Sequence, residues 1–349
     1  MLKTKNVSIE LGEFSLKKVS LDVKDGEYRV ILGPTGAGKT ILLETIAGIY
    51  IPDSGQVILK DEDITSKDPK DRRITMVYQD FVLFPHLSVY DNIAFGLKIS
   101  GMHPSDIEKK VSKVSDILEI SHLLKRDTIN LSGGEKQRTA IARALVLEPD
   151  VLLLDEPLSA LDINTREKLR KELKSLHKIY RTTIIHVTHN FEEVFSLADS
   201  VSVMNEGEII QTGTPDEVFS KPNCRFIAGF VGVENIFRGK ISSGKGSSII
   251  TVDGLNISSS VTGLFGDIYA SVRPEDILIS KEPLNTPARN SFEGSVVSIS
   301  ENGTMVQIRV DVGIPFVTVL TKRGFYDMGL LENDRVYLTF KAAAVHVFS

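Results

Sequence analysis

The sequence predicts an α/β domain built on an open parallel sheet, followed by a smaller all-β domain. Three observations carry this prediction. A glycine-rich segment at residues 33–40 follows an apolar run, a second apolar run at 151–154 ends in two carboxylates, and beyond Phe230 short alternating runs are broken by Gly, Ser and Pro. The predicted domains are therefore residues 1–230 and residues 231–349.

The glycine-rich segment fits the pattern G-x-x-x-x-G-K-[ST]. It lies between a predicted buried strand at 28–32 and a predicted helix at 40–47. The backbone N–H groups of such a loop wrap around a phosphate, and the helix N-terminus adds partial positive charge. The lysine reaches the outer phosphates, and the last hydroxyl can hold Mg²⁺. The predicted nucleotide triphosphate site consists of Gly33, Pro34, Thr35, Gly36, Ala37, Gly38, Lys39 and Thr40.

Three further apolar runs end in polar residues. The run at 151–154 is apolar on both faces, as expected of a central parallel strand, and the other two lie at 183–188 and 74–78. Open parallel sheets place their chemistry outside the carboxyl ends of the strands. A carboxylate pair suits metal binding by one member and water activation by the other. The strands are thus predicted to bring to one edge Gly33, Gln79, Asp155, Glu156 and His189.

Each of these polar residues also has a simpler interpretation when it is taken alone. His189 can cap the helix that follows, Gln79 can be an ordinary loop residue, and Glu156 can be a solvated carboxylate. The joint occurrence of all of them at strand ends favours the functional interpretation.

Residues 131–135 read Leu-Ser-Gly-Gly-Glu and precede a helical run at 136–147. Part of this pattern is structural, because Ser132 and Glu135 have the spacing of a capping box. Capping does not need two consecutive glycines, each of which costs about 1 kcal/mol in a helix. Gly133 and Gly134 instead suit the close approach of backbone to a phosphate.

With these motifs, the first 230 residues resemble the ATP-binding-cassette (ABC) ATPases. The matches, in chain order, are the phosphate loop, the glutamine loop at Gln79, the signature at 131–135, the Asp155–Glu156 pair, residues 159–162 and His189. The resemblance implies a P-loop NTPase cassette with a RecA-like core and a helical subdomain at about 85–150. It implies ATP and Mg²⁺ as cofactors.

The resemblance also implies roles for individual residues. Lys39 binds the ATP phosphates, Glu156 polarises the attacking water and His189 contacts the γ-phosphate. Ser132, Gly133, Gly134 and Glu135 complete the ATP site of the other subunit, and Asp162 lies in the dimer contact called the D-loop. One phosphate loop and one signature therefore predict a homodimer that encloses two ATP molecules. Mg²⁺ is held, directly or through water, by Thr40, Gln79 and Asp155.

The chain departs from the family where the adenine ring is expected to stack. Family members offer an aromatic side chain near position 11, but here the residue is Leu11 and the chain has no Trp. Phe14 is the candidate substitute; the alternative is apolar contact alone.

Composition restricts the class of protein. A chain of 349 residues with 42% apolar content and net charge −5 suits two soluble domains. No run approaches the roughly 18 to 20 apolar residues of a membrane span, and the N-terminus lacks a signal-peptide pattern. Acidic residues outnumber basic ones, 46 to 41, which argues against nucleic acid binding. The single cysteine, Cys224, predicts neither a disulfide nor a metal site.

A transport cassette without a membrane span must dock on separate subunits. We therefore expect a peripheral protein at the cytoplasmic face of the membrane, bound to two permease subunits and served by an extracytoplasmic binding protein. The loop at 80–89 is unusually apolar, and in the family this region receives a short helix of the membrane subunit. The alternative is that its side chains pack the helical subdomain. The candidate docking residues are Phe81, Leu83, Phe84 and Pro85.

The all-β domain contains an internal repeat. Residues 235–241 recur as 290–296, and Tyr269 with Arg273 recurs as Tyr337 with Lys341. Two five-stranded units at about 231–282 and 283–349, each closing a small OB-like barrel, fit this length.

The segment at 286–290, together with the late Lys341, resembles the MOP (TOBE-like) domain of molybdate-binding proteins, which surrounds a tetrahedral oxyanion. Pro287 and Ala343 replace the family's usual serines, so a hydroxyl donor is missing. The alternative is a dimer-stabilising barrel with an idle arginine. The candidate oxyanion residues are Ala288, Arg289, Asn290 and Lys341.

The resemblance as a whole implies the ATPase of a molybdate or tungstate importer, in which oxyanion bound to the C-terminal domain inhibits transport. Sulfate, sugar, polyamine and iron importers use the same cassette, and a non-transport ABC ATPase is a further alternative.

Overall fold

The computed structural model describes residues 1–244 and 246–348. It divides into two compact units, Met1–Pro215 and Asp216–Ser349. The boundary at residue 230 predicted from the sequence lies further along the chain. The second unit begins before residue 230. One reason is that Ala228 packs against Val233 and Phe348.

The first unit contains two sheets and six helices. Its strands are β1 (Leu2–Leu11), β2 (Phe14–Val23), β3 (Tyr28–Leu32), β4 (Ser54–Leu59), β5 (Glu62–Asp63), β6 (Ile74–Val77), β7 (Val151–Asp155), β8 (Thr183–Thr188), β9 (Ser200–Asn205) and β10 (Glu208–Gly213). Its helices are α1 (Lys39–Ala47), α2 (Val89–Ile99), α3 (Pro104–Ile117), α4 (Gly133–Leu145), α5 (Ile163–Tyr180) and α6 (Phe191–Leu197).

The larger sheet has the strand order β10-β9-β3-β8-β7-β6, and all its neighbouring strands are parallel except β10 and β9. β3, β7 and β8 are buried along their whole length, as expected of parallel strands covered on both faces. The register sets Leu32 beside Thr188, and Asp155 beside Val187. The residues that follow these strands therefore emerge at one edge.

A second, antiparallel sheet has the order β2-β1-β4-β5. Its inward side chains, such as Val7, Leu16 and Val57, join one apolar core with Leu42 and Ile46 of α1. This core fixes α1 and the loop that precedes it. Helices α2, α3 and α4 pack on one another and form the helical part of the unit.

The second unit is mostly β-structure, as the sequence predicts. Its core combines apolar side chains of both repeats, including Phe237, Ile250, Phe316 and Leu338. Its strands are β11 (Asn235–Ser243), β12 (Ser248–Val252), β13 (Leu255–Ser259), β14 (Gly266–Val272), β15 (Leu278–Ser280), β16 (Asn290–Asn302), β17 (Met305–Asp311), β18 (Pro315–Thr321), β19 (Arg335–Phe340) and β20 (His346–Phe348). The helices are α7 (Pro215–Ser220), α8 (Arg225–Phe230) and α9 (Lys322–Met328).

The two repeats exchange their last strands. One five-stranded sheet has the order β13-β12-β11-β14-β20, and the other has the order β15-β19-β16-β17-β18. The first repeat thus supplies β15 to the second sheet, and the second repeat supplies β20 to the first. Each repeat has five strands, but neither builds its sheet from its own strands alone. Sequence periodicity cannot reveal this, because strand pairing is decided by long-range hydrogen bonds.

Two equivalent asparagines join the repeats. The Asn235 amide donates to the Val317 carbonyl at 2.8 Å and accepts from the Val317 N–H at 2.6 Å. The Asn290 amide makes the same pair of bonds with Ser258, at 3.0 and 2.7 Å. Both asparagines are 1% exposed. Each side chain therefore satisfies buried backbone groups on the partner repeat's sheet.

No helix among residues 1–244 and 246–348 combines the length and the apolar character needed to cross a membrane.

Replacing Asn235 with Ala is expected to lower the free energy of unfolding by about 2–4 kcal/mol, because two backbone groups of Val317 lose their partners in a buried site. Asn290→Ala should lower the free energy of unfolding by a similar amount. The matched control is Asn256→Ala, since Asn256 is exposed, and it should change stability by no more than about 0.5 kcal/mol. Urea denaturation measures all three, and equal small effects would show that the asparagine bonds do not join the repeats.

Candidate functional site

The phosphate loop lies between β3 and α1, where the sequence predicts it. Gly33 is required by close packing, since a Cβ there would lie 2.2 Å from the Met204 carbonyl oxygen. Gly36 and Gly38 have φ of 83° and 99°, which L side chains rarely adopt. Lys39 is 6% exposed, and its Nζ donates to the carbonyls of Gly33 and Pro34 at 2.9 and 2.8 Å. The loop thus curls around its own lysine.

Burial lowers the pKa of Lys39, although the charges of Glu156 and Asp155 oppose the change. An ammonium group that is partly desolvated in this way interacts strongly with any anion that replaces the carbonyls around it. This environment suits the outer phosphates of a nucleotide.

Phe14 lies directly over the phosphate loop. A Cβ on Gly38 would lie 2.3 Å from Phe14 Cζ, so the ring is in contact with the backbone at the start of α1. Leu11 pairs with Phe14 across the β1–β2 hairpin, and both side chains are half-buried against the core. An aromatic face at this end of the loop is consistent with Phe14 as the candidate contact for the base.

Thr40 and Asp155 meet at the edge of the sheet. Thr40 Oγ1 donates to Asp155 Oδ2 at 2.9 Å. Burial raises the pKa of Asp155, and the charge of Glu156 raises it further, while the Thr40 bond and Lys39 oppose this. A buried carboxylate beside a hydroxyl offers the hard oxygen ligands that Mg²⁺ prefers. These residues therefore fit a magnesium ion.

Glu156 adopts φ of 44°, a left-handed conformation that is uncommon for a residue other than glycine. Its N–H donates to the Val187 carbonyl at 2.9 Å, and its carbonyl accepts from Ser159. His189 Nδ1 lies 3.2 Å from Glu156 Oε1, and the side chains are 59% and 18% exposed. Glu156 and His189, the two predicted catalytic residues, therefore lie side by side, and the Glu156 carboxylate is accessible to water.

Gln79 lies two residues after β6, at the edge of the sheet next to β7. Its side chain is exposed. The register sets Val77 beside Leu154, so the chain leaves β6 next to Asp155. Gln79 is therefore on the predicted edge, at the start of the apolar loop.

The sequence pattern did not identify Glu44 and Tyr78, which lie beside this edge. Burial and the charge of Asp155 raise the pKa of Glu44, and a hydrogen bond from Tyr78 opposes that rise. Glu44 is in the middle of α1 and has no motif of its own. The signal available was that Glu44 is the one acidic residue of α1.

A second group that sequence reasoning missed is buried behind His189. Tyr28 Oη lies 2.9 Å from His186 Nδ1, and His186 Nε2 lies 3.2 Å from Glu193 Oε2. The histidine is 0% exposed and the glutamate 3%. Burial raises the pKa of Glu193, but hydrogen bonds and the charge of His186 outweigh burial and leave it lowered. This chain of polar groups ties β3, β8 and α6 together next to the catalytic edge.

The signature segment begins α4. Ser132 and Glu135 form the predicted capping box, in which Glu135 accepts from the Ser132 N–H at 2.7 Å. This bond and the Ser132 hydroxyl hold the pKa of Glu135 below its usual value. A Cβ on Gly134 would lie 2.6 Å from Thr165 Cγ2, whereas Gly133 has ordinary space around it. Gly134 is therefore also needed for packing on α5, which the sequence analysis did not anticipate.

Asp162 is the N-cap of α5 and accepts from the Thr165 N–H at 3.1 Å. Hydrogen bonds from Thr165 hold the pKa of Asp162 below its usual value. The aspartate thus has a local structural role in addition to the dimer contact expected of it.

The apolar loop after Gln79 lines a surface groove of about 300 Å³, to which Thr128, Ile129 and Lys136 also contribute. Phe84 packs against Phe95 of α2, with the ring centroids 4.4 Å apart, and both rings are partly exposed. Phe84 therefore has a packing contact of its own, and the docking role of the loop stays a prediction. The lining residues from the loop are Asp80, Phe81, Leu83 and Pro85.

In the second unit, the pairing of Asn290 with Phe340 sets Arg289 and Lys341 beside each other at the ends of β16 and β19. Both side chains are exposed, and the Ala288 N–H donates to Thr286 Oγ1. Asn290 differs, because its amide is buried and bonded to Ser258. It therefore positions the segment, whereas Arg289 and Lys341 are the groups free to face an anion.

Known protein families match both parts of the chain. The family model described as ABC transporter matches residues 16–159, and the TOBE domain model matches residues 286–347. Molybdate/tungstate import ATP-binding proteins WtpC of Pyrococcus abyssi and Pyrococcus horikoshii are 45% and 44% identical over 349 residues, with 100% of each chain covered. A spermidine/putrescine import ATP-binding protein PotA of Trichormus variabilis is 40% identical over 301 residues, covering 84% of this chain and 79% of its own.

Two solved structures share the fold of the first unit. The cassette MJ0796, in a dimeric post-hydrolysis state bound to ADP and Pi, has a TM-score of 0.56 and 31% identity, covering 62% of this chain and 99% of its own. The cbiO1 protein of Clostridium perfringens has a TM-score of 0.58 and 36% identity, covering 62% and 90%.

The chain therefore belongs to the ABC transporter family, in which it is an ATP-binding subunit that hydrolyses ATP. Its full-length similarity extends to import ATP-binding proteins, and its own C-terminal residues match the TOBE domain model.

Replacing Glu156 with Gln is expected to retain ATP binding and to slow hydrolysis by about 100-fold or more, because the water-orienting carboxylate is lost. Phosphate release and nucleotide binding measure the two effects. The matched control is Glu192→Gln, which changes an exposed carboxylate paired with Arg170 near the same edge. Turnover near the wild-type rate in Glu156→Gln would identify another residue as the base.

Proposed function

We propose that this protein is the ATPase subunit of an importer for molybdate or tungstate. The observation that carries the proposal is the full-length match to two WtpC proteins at 44–45% identity, which extends through the TOBE domain. Arg289 and Lys341 support it, since they provide two adjacent exposed cations where the resemblance places an oxyanion.

In the proposed reaction, Lys39 and the amides of the phosphate loop bind the β- and γ-phosphates of ATP. Thr40, Asp155 and Gln79 would hold Mg²⁺, which would supply positive charge to the phosphates. Glu156 accepts a hydrogen bond from the attacking water and aims it along the line of the bond that breaks. His189, in contact with Glu156, faces the γ-phosphate. Positioning and charge stabilisation therefore supply most of the catalysis.

The proposed active form is a homodimer. The signature residues Ser132, Gly133, Gly134 and Glu135 would complete the ATP site of a second copy, where the N-terminal N–H groups of α4 face the γ-phosphate. The dimeric structure of the related cassette MJ0796 supports this assembly. The D-loop aspartate, Asp162, would lie at the interface.

The proposed partners are two membrane-spanning permease subunits. Their docking site would be the groove lined by Phe81, Leu83 and Pro85, next to the Phe84 ring, which packs against Phe95. This places the protein at the cytoplasmic face of the membrane and couples it indirectly to an extracytoplasmic binding protein.

The C-terminal unit would bind molybdate or tungstate as a feedback inhibitor. A tetrahedral dianion suits a guanidinium, an ammonium and exposed amides. Arg289 and Lys341 would bear the charge contacts, while Asn290 fixes the segment through Ser258 and the Ala288 N–H is already bonded to Thr286 Oγ1. Bound anion would hold the cassettes apart and slow ATP hydrolysis.

A second candidate is a sulfate, sugar, polyamine or iron importer with a purely structural C-terminal unit. Pro287 and Ala343 favour it, because they remove hydroxyl donors from the oxyanion segment. Relatives named for spermidine/putrescine and for Fe(3+) import, at 40% and 36% identity, share the cassette.

Calorimetric titration of the full chain with molybdate, tungstate and sulfate at equal ionic strength separates the two candidates. The first candidate predicts binding of molybdate and tungstate, little binding of sulfate, and loss of binding by at least about 10-fold in Arg289→Ala, because a charge-assisted contact is removed. The matched control is Arg323→Ala, which changes an arginine that is 93% exposed in the same unit. Absence of binding by the wild type would favour the structural C-terminal unit.

A further inference from the structure

The loop that follows Gln79 contains two successive residues in a left-handed conformation. Phe81 has φ of 62° and Val82 has φ of 45°. A β-branched side chain such as valine is strongly disfavoured there. The Val82 N–H donates to the Asp80 carbonyl at 2.6 Å and the Phe81 N–H to the Tyr78 carbonyl at 3.1 Å, so the turn is tight as well as strained. Such a turn persists only where neighbouring groups hold it.

The group that holds this turn is Arg143 of the signature helix α4. Its guanidinium donates to the carbonyls of Val82 and Phe81, at 2.8 and 3.2 Å. It also lies over the Phe84 ring, 5.2 Å from the centroid. These two carbonyls belong to the two left-handed residues, so a planar fork of donors matches the geometry of the strained turn.

Arg143 is not paired with a carboxylate within residues 1–244 and 246–348. Burial alone lowers the pKa of its guanidinium, and the positive charge is directed at carbonyl dipoles and an aromatic face. This half-buried arginine therefore directs its donors and its charge at the loop. Arg138, on the same helix, pairs with Glu172 instead.

The second half of the loop is held by other residues. The Phe84 N–H donates to Asn92 Oδ1 at 2.9 Å, and Asn92 Nδ2 donates to the carbonyls of Phe84, Leu87 and Ser88. Thr128 Oγ1 also donates to the Phe84 carbonyl. Residues 84–88 are therefore fixed on α2, and the turn at residues 81–82 is the part that depends on Arg143.

We propose that Arg143 is a positioning residue that ties the strained turn at Phe81 and Val82 to the signature helix, so that Gln79 is positioned according to the placement of α4. α4 begins at the signature, and the loop begins at Gln79. Displacement of α4 therefore moves the backbone next to Gln79 through one side chain. The inference rests on the proposed roles of Gln79 and of the signature.

The test compares Arg143→Met alone with its combination with Val82→Gly. Glycine adopts the left-handed conformation of residue 82 without strain, so this variant leaves only the strain at Phe81 and makes the turn less dependent on Arg143. Arg143→Met is expected to lower kcat by about 10-fold to 100-fold, as loss of positioning does. It should also raise the Mg²⁺ concentration that gives half-maximal rate, while the affinity for ATP stays within about twofold because the phosphate loop is unchanged.

Adding Val82→Gly to Arg143→Met should restore most of kcat and of the Mg²⁺ dependence. The matched control is Val82→Ala in the same background. Alanine keeps a Cβ and most of the strain, so it should restore little. Arg143→Lys should be intermediate, since a single ammonium cannot span both carbonyls as a planar fork does.

Three outcomes would overturn the proposal. They are an unchanged kcat and Mg²⁺ dependence in Arg143→Met, equal recovery with Val82→Ala and Val82→Gly, and a loss of rate that only matches the fraction unfolded by circular dichroism. Gln79→Ala tests the underlying function separately. If Gln79→Ala leaves the Mg²⁺ dependence unchanged while Val82→Gly rescues Arg143→Met, the role of Gln79 in Mg²⁺ binding fails, and only the hold of Arg143 on the turn stands.

Discussion

The first unit depends on the convergence of buried β3, β7 and β8 at one edge of the parallel sheet. Their register sets Leu32 beside Thr188 and Asp155 beside Val187. The phosphate loop, the carboxylates and His189 therefore all follow strands that end at the same edge. Because the strands are buried on both faces, a shift in register would expose apolar side chains or bury polar ones. The same packing that stabilises the sheet therefore fixes the geometry of the site.

Several polar groups at this edge are partly removed from water or lie on strained backbone. Burial lowers the pKa of Lys39 and raises that of Asp155, and Glu156 occupies a left-handed conformation. Similar strain recurs at Phe81 and Val82, where Arg143 compensates for it. Strained and desolvated groups thus lie along the path from the nucleotide site to the apolar loop, where function and stability make opposite demands. Other left-handed residues, such as Lys18 and Asn333, lie elsewhere in the chain.

The second unit is held together by the exchange of strands between its repeats. β20 is an edge strand of the first sheet and β15 an edge strand of the second, so each five-stranded sheet is complete only with a strand from the other repeat. Asn235 and Asn290 also link the repeats, because each side chain forms hydrogen bonds with backbone groups of the other repeat. The consequence for function is that Arg289 and Lys341, which lie at the ends of paired strands, are positioned by the whole unit rather than by their own segment.

The nucleotide chemistry can be predicted from the residue pattern alone, because glycine, lysine and carboxylate patterns are local and their strand and helix context can be read from apolar runs. The capping box at Ser132 and the presence of a repeat can be predicted in the same way. Strand pairing cannot be predicted so, and neither can the exchange of β15 and β20, the role of Asn290 and the packing of Gly134 on Thr165. These features, like the hold of Arg143 on the turn, depend on contacts between residues far apart in the chain, which leave no periodic signal in the sequence.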